Sequence, residues 1–198
     1  MKPLILASGS PRRAKILRDL GVEFEVVKTE APEVSIPHDP VRTVTENACA
    51  KLHAALAAAS AALPCGRLGE ATLPRRAILA ADTIVWFNNR IYGKPRDLDE
   101  AKKFLRELSG QTHVVFTGVA FRAEDGTEQT ACVESRVTFR ELSEEMIDEY
   151  VARVHPTDRA GAYDIDESGD LIVASYTGSY ENIMGLPVEP LRDFGILC

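Results

Sequence analysis

Leu4-Ile5-Leu6-Ala7-Ser8-Gly9-Ser10-Pro11-Arg12-Arg13 decides how the chain begins to fold. A short apolar run ends in Ser-Gly-Ser, and proline, two arginines and a helical apolar spacing (Ala14, Ile16, Leu17, Leu20) follow. The stretch predicts strand, tight loop, helix. Gly9 admits a sharp turn, and Pro11 suits the first helical position, which needs no N–H. Free N–H groups of such a turn, the hydroxyls of Ser8 and Ser10, and the guanidiniums of Arg12 and Arg13 then point at one spot. That spot suits an anion, and a polyphosphate best. A capped helix with two surface arginines fits the same ten residues equally well, so the choice rests on the remainder of the chain.

Outward from that stretch, the bulk numbers bound the answer. A chain of 198 residues with 45% hydrophobic and 27% charged content predicts one soluble domain, 1–198, with room for a real core. The net charge of -7 argues against a broad nucleic-acid-binding face, which needs clustered Lys and Arg. A local basic pocket remains compatible with it. Cys49, Cys65, Cys132 and Cys198 form no C-x-x-C pair, which disfavours a zinc site or a disulfide framework and fits a reducing cytosol. No apolar run approaches the ~20 residues of a membrane span, and Met1-Lys2-Pro3 carries no signal-peptide pattern. We expect a cytoplasmic protein without membrane or nucleic-acid partners, and a homodimer on general frequency.

Phe24 to Val27 predicts a second strand, after the Gly21 that ends the first helix. A proline-studded loop from Thr29 to Pro40 holds Glu30, Glu33, His38 and Asp39. A long helix over Val41 to Ala62 has its apolar stripe at Val44, Ala48, Leu52, Ala55, Leu56 and Ala59; Glu46 and Lys51 read by default as solvated. Leu63 to Arg76 shows no periodicity and predicts a connector, with Arg75-Arg76 as surface charge. Ala77 to Val85 is a near-continuous apolar run interrupted by Asp82. It predicts a buried strand, and an aspartate there is costly unless paired, hydrogen-bonded or bound to metal. Asp82 is therefore the most informative residue of the chain, as a functional group or a structural hydrogen-bonding one. After an Asn88-Asn89 turn, Gly93-Lys94-Pro95 presents Lys94, either as a surface residue or reaching toward Asp82. Asp97 starts a helix to Leu108. Two long strands, 112–122 and 128–140, form a hairpin. Ser143 caps a helix through Arg153 with Met146, Ile147, Tyr150 and Val151 inward. A short strand is expected at Leu171 to Ala174, and small Gly/Ser/Asn loops around it and at 178–187.

Basic and hydroxyl groups (Ser8, Arg12, Arg13, Lys51, Lys94) suit a polyphosphate; carboxylates (Glu33, Glu46, Asp82) suit a divalent cation. Such a cation lowers the pKa of a bound water, and a carboxylate beside the water takes its proton. The chain has no P-loop signature and no G-x-S-x-G, and its four histidines show no metal-ligand spacing.

Seven pieces in order resemble the Maf family of nucleoside triphosphate pyrophosphatases. They are Ala7-Ser8-Gly9-Ser10-Pro11-Arg12-Arg13, Ala81-Asp82-Thr83, Gly93-Lys94-Pro95, Leu108-Ser109-Gly110 with Thr112-His113, Thr117-Gly118, Ala160-Gly161-Ala162-Tyr163 and Gly185-Leu186-Pro187. The resemblance implies an elongated α/β fold like that of the inosine triphosphate pyrophosphatases, with a central mixed sheet flanked by helices and a cleft between two lobes. It implies cleavage of a nucleoside triphosphate to monophosphate and pyrophosphate with a divalent cation, Mg or Mn. By the same resemblance Asp82 is the general base and Glu33 and Asp82 hold the metal. Ser8, Arg12, Arg13, Lys51 and Lys94 contact the phosphates, and Arg12, Thr83 and position 166 bear on base choice. The Ala-Gly-Ala-Tyr and Gly-Ser-Tyr-x-Asn-Ile-x-Gly-Leu-Pro stretches are similar to the dTTP/UTP branch. That branch continues Tyr-Gly-Ile-Gln, whereas this chain reads Tyr163-Asp164-Ile165-Asp166, and an ionised carboxylate at 166 accepts without donating. The alternative to an enzyme is a non-catalytic nucleotide-sensing regulator, since family members are linked to septum formation.

Overall fold

The computed structural model describes residues 3–61 and 76–197, so the connector read at 63–76 lies outside it apart from Arg76. The chain folds around one mixed seven-stranded sheet. β1 (Leu4–Leu6) leads through α1 (Pro11–Asp19) to β2 (Phe24–Val26), and the two strands pair in parallel. α2 (Pro40–Ala61) precedes β3 (Ile78–Phe87), which lies parallel to β1. β4 (Arg90–Tyr92) folds back on β3 through Asn88 and Asn89, whose φ values of 47° and 58° make the tight turn expected of that pair. α3 (Leu98–Leu108) is followed by the antiparallel hairpin β5 (Thr112–Arg122) and β6 (Glu128–Phe139). α4 (Glu144–Val154), the single turn α5 (Gly169–Ile172), β7 (Val173–Thr177), α6 (Tyr180–Met184) and α7 (Glu189–Asp193) complete the chain. The strand order is β2-β1-β3-β5-β6-β7, with β4 beside β3. Asp97 and Ser143 cap α3 and α4 by accepting the N–H of Glu100 and Met146.

β5 pairs with β3 along nearly its whole length, from Ile78 to Trp86. β1 and β4 must therefore share the other edge of β3. β1 takes Ile78 and Leu79, and β4 takes Val85 to Phe87. Between them the edge of β3 is open at Ala80 to Ile84, and Asp82 sits at the middle of the opening. A sheet split in this way gives access to both of its faces at once.

Those faces follow from the two-residue period of a strand. Ile78, Ala80 and Ile84 lie under α2, packed with Val44, Ala48, Leu52 and Ala55. Leu79 and Ala81 lie under α1, α6 and α7 with Ile16, Leu17, Met184 and Leu191. Val85 lies under α3 and α4, in a separate cluster with Leu105, Phe139, Ile147 and Tyr150. The second and third clusters are the two lobes, side by side on one face. No described helix is long and apolar enough to cross a membrane.

Gly118 seats α2. It pairs with Asp82 across β3 and β5, and a Cβ there would lie 2.5 Å from both the carbonyl carbon and oxygen of Val44. Only a residue without a side chain lets the helix backbone rest on the sheet at this point.

Three expectations change. The strand expected at 171–174 begins at Val173 and runs to Thr177, because Leu171 and Ile172 belong to the α5 turn, where Ile172 is buried. β7 is an edge strand, and its solvent-facing Ser175, Tyr176 and Thr177 lack the alternation that marks a half-buried strand. The loop at 178–187 contains α6, capped by Ser179 accepting the Asn182 N–H. Arg76 is more than surface charge: it donates to the Pro3 carbonyl through Nε and Nη2 and pairs with Glu25, fastening the start of β1.

His113 on β5 packs edge-on against Phe139 and Tyr163, and its Nε2 shares a 2.9 Å hydrogen bond with the Tyr163 hydroxyl. Burial holds the pKa of this imidazole down to about 3, from its ordinary value of 6.5. Between those values the unfolded chain binds a proton that the folded chain refuses, so stability falls as pH drops below ~6.5. Acidification from pH 7 to 5 should remove about 2 kcal/mol through this group. Urea titrations of wild type and His113→Gln should differ in that slope.

Candidate active site

A cleft of about 660 Å³ opens at the split edge of β3. Its lining includes Ser8 to Arg13, Glu33, Asn47, Lys51, Asp82, Thr83, Lys94, Tyr163 and Asp164. Consecutive residues of a strand point to opposite faces, so Asp82 and Thr83 line one cavity only because it passes through the gap between β1 and β4. Asp82, Arg12 and Lys94 share this cavity.

Asp82 faces α2 and is 6% exposed. Its Oδ1 accepts from Lys51 Nζ at 2.5 Å and its Oδ2 from Asn47 Nδ2 at 3.0 Å. Lys51 is thus turned into the cleft, against the default reading of a solvated helix residue. It also donates to Glu33 Oε1 at 2.8 Å. Burial pushes the Glu33 carboxyl up, but the Lys51 ammonium, with help from the charges of Lys94 and Arg13, outweighs it and holds the group below the usual carboxylate range. Glu46, the other carboxylate of this helix, pairs with Arg42 at the surface and does not line the cleft. Lys94 lies in the cleft wall without an ion pair among the described residues; Lys51, not Lys94, is the cation on Asp82.

Asn47 was not singled out from the sequence. Besides Asp82, it brackets Val34: its amide donates to the Val34 carbonyl at 3.0 Å and accepts the Val34 N–H at 2.8 Å. One turn earlier, Thr43 Oγ1 accepts the Ile36 N–H. Thr43, Asn47 and Lys51 stand four residues apart on one helix stripe, and they fasten the 29–40 loop so that Glu33 reaches Lys51.

The two adjacent arginines divide. Arg13 is committed within the protein: Nε donates to the Gly185 carbonyl at 2.7 Å, Nη1 to Ser8 Oγ at 3.1 Å and Nη2 to Thr83 Oγ1 at 3.0 Å. Desolvation lowers its pKa to about 10, leaving it charged at neutral pH. Gly185 holds its position with φ of 107°, a left-handed conformation that suits glycine. Among the described residues the Arg12 side chain makes one bond, from Nη1 to Asp164 Oδ2 at 3.1 Å. Ser8 Oγ accepts from both Arg13 and the Ser10 N–H, at 3.1 and 3.2 Å, and its own proton has no acceptor among the described residues. Ser10 stands at the N-cap of α1 with no side-chain capping bond, and Pro11 takes the first helical position. Gly9 has no left-handed φ, and a Cβ there would meet only Lys28 methylenes at 3.7 Å or more; the turn does not need glycine for its shape.

Thr83 faces the cleft, but its hydroxyl is committed to a directed chain. Arg13 donates to Thr83, Thr83 shares a 3.0 Å bond with Thr117, and Thr117 donates to the Asn182 carbonyl at 3.1 Å. Thr83→Val should break this chain and cost about 2 kcal/mol, roughly 4–8 °C in Tm, measurable by calorimetry. Asp166 is not among the residues lining the cleft. It pairs with Lys15 at 3.3 Å and accepts from Tyr180.

The chain resembles known proteins over nearly its whole length. Proteins named dTTP/UTP pyrophosphatase from Bacillus cereus and Bacillus cytotoxicus are each 42% identical over 195 residues, covering 96% of this chain and 87% and 93% of their own. Among solved structures, the Staphylococcus aureus Ham1 protein is similar over 71% of this chain and 73% of its own, with a TM-score of 0.47 and 12% identity. The family sequence model described as Maf-like protein matches residues 3–194, a span that contains every residue of the cleft. The chain therefore belongs to the Maf family.

Proposed function

We propose that this cleft binds a nucleoside triphosphate, dTTP or UTP, and hydrolyses it to the monophosphate and pyrophosphate. The observation that carries the reading is Lys51 Nζ between Asp82 and Glu33, in a cavity that also holds Arg12, Lys94 and the free proton of Ser8. The relatives' names supply the base. An ammonium has three donors; two reach the carboxylates and the third is left for a phosphate oxygen. Ser8, Arg12 and Lys94 supply further donors for the polyphosphate, and Arg13 supports the floor with its charge. Asp82 takes a proton from the attacking water as the bond between the α and β phosphates breaks and pyrophosphate leaves.

The donor set fits a Mg or Mn ion. Asp82 and Glu33 are hard oxygen ligands within reach of one nitrogen, and such ions commonly use one or two carboxylates plus substrate phosphates. No cluster of three or more His, Cys, Asp or Glu assembles among the described residues, so an ion held by Asp82 and Glu33 would need further oxygens from the substrate or water. Held by Asp82 and Glu33, such an ion would supply charge neutralisation for the phosphates and a lowered pKa for the attacking water.

Incubation with dTTP, UTP, CTP and 7-methyl-GTP plus magnesium or manganese tests this. Equimolar monophosphate and pyrophosphate are expected from dTTP or UTP. Release of orthophosphate alone would refute the reaction, and binding of every nucleotide without turnover would favour a sensing regulator.

A further inference from the structure

We propose that Asp164 is a positioning residue for the nucleotide: it pins the Arg12 guanidinium at the cleft wall and leaves Nε and Nη2 for an acceptor oxygen of the ligand. This rests on the nucleotide reading of the cleft. Asp164 is 5% exposed and held rigidly. Its N–H donates to the Tyr150 hydroxyl at 2.8 Å, its carbonyl accepts from that hydroxyl at 3.2 Å, and its Oδ1 accepts the Asp166 N–H at 3.0 Å. Two guanidiniums meet at Oδ2, Arg159 Nε at 3.0 Å and Arg12 Nη1 at 3.1 Å.

The two arginines differ in what they have left. Arg159 also donates to the Val154 carbonyl, Asp158 and Glu167, so each of its nitrogens is engaged. Arg12 has no further partner among the described residues, and it lines the cleft while Arg159 does not. Arg159 and a backbone N–H already compensate the buried carboxylate. The surplus contact is the one that fixes a side chain with many rotamers beside the cavity. Holding such a side chain in its bound pose removes an ordering cost on binding. Asp166 turns to Lys15, so the carboxylate that meets Arg12 at the cleft is that of Asp164.

A double-mutant cycle tests the assignment, with binding of the α,β-methylene analogue of UTP read by calorimetry. Asp164→Asn should weaken binding about 3- to 10-fold in the presence of Arg12 and leave it unchanged in the Arg12→Ala background. KM should rise with kcat within about twofold. Losses that simply add would overturn the inference, because a purely structural Asp164 acts regardless of residue 12. Asp164→Gly gives the same cycle should the asparagine variant fold poorly. Inorganic tripolyphosphate as ligand separates the acceptors: coupling retained with it assigns Arg12 to phosphate, and coupling seen only with the nucleotide assigns it to the base or sugar, both in support. Wild type that binds no analogue would sink the nucleotide reading itself, whereas binding without coupling sinks only the role of Asp164.

Discussion

Asp82→Asn should lower kcat on dTTP or UTP by about 10²- to 10⁴-fold, the range for loss of a positioned general base, with KM changed far less. The substitution is nearly isosteric, but its surroundings are not neutral to it. Both groups that contact Asp82 are donors, Lys51 Nζ and Asn47 Nδ2. A carboxamide accepts through one oxygen only, so its NH2 must face a donor. The expected cost is about 1–3 kcal/mol of stability, visible as a lower urea midpoint with unchanged m. The two effects separate by temperature: assayed well below the unfolding range of the variant, activity stays low although the protein is folded. Turnover within a few-fold of wild type in the single variant would remove Asp82 from the chemistry.

The second large effect lies behind the site. Gly118→Ala should cost about 3 kcal/mol, at the upper end for overpacking, and should depress activity with it. The new Cβ meets backbone atoms, the Val44 carbonyl at 2.5 Å and the Thr45 N–H nitrogen at 2.8 Å, and no rotamer change relieves that contact. α2 must lift, and α2 carries Asn47 and Lys51. The carboxylate therefore loses both donors through a mutation on the strand opposite. Gly9→Ala is the control: its Cβ has ordinary contacts, and it should stay within about 1 kcal/mol of wild type. Equal stability of the two variants, by thermal melts, would refute the role given to Gly118.

The parts of this architecture that were legible in the sequence are those fixed by local chemistry. The β1–α1 turn announces itself through Pro11 after a short apolar run, the β5–β6 hairpin through Glu124-Asp125-Gly126-Thr127, and Asp82 through the cost of a charge in an apolar strand. What escaped depends on contacts far apart in the chain. Lys51 looked solvated because a helical period says which residues share a stripe and not what that stripe faces; Thr43, Asn47 and Lys51 at intervals of four were the available signal. The two arginines look identical in sequence, and only Gly185, 172 positions from Arg13, and Asp164, 152 from Arg12, tell them apart. β7 was placed early because an edge strand has no need of the alternation by which strands are recognised.

Asn47 spends one amide on two tasks, gripping the chain at Val34 and steadying the acid at 82. Reciprocity makes those tasks inseparable. A ligand that draws the 29–40 segment inward firms up the acid, and a change in the acid's charge must alter how tightly that segment is held. An insertion or deletion near Val34 would then be felt at Asp82, through the Asn47 amide that joins them.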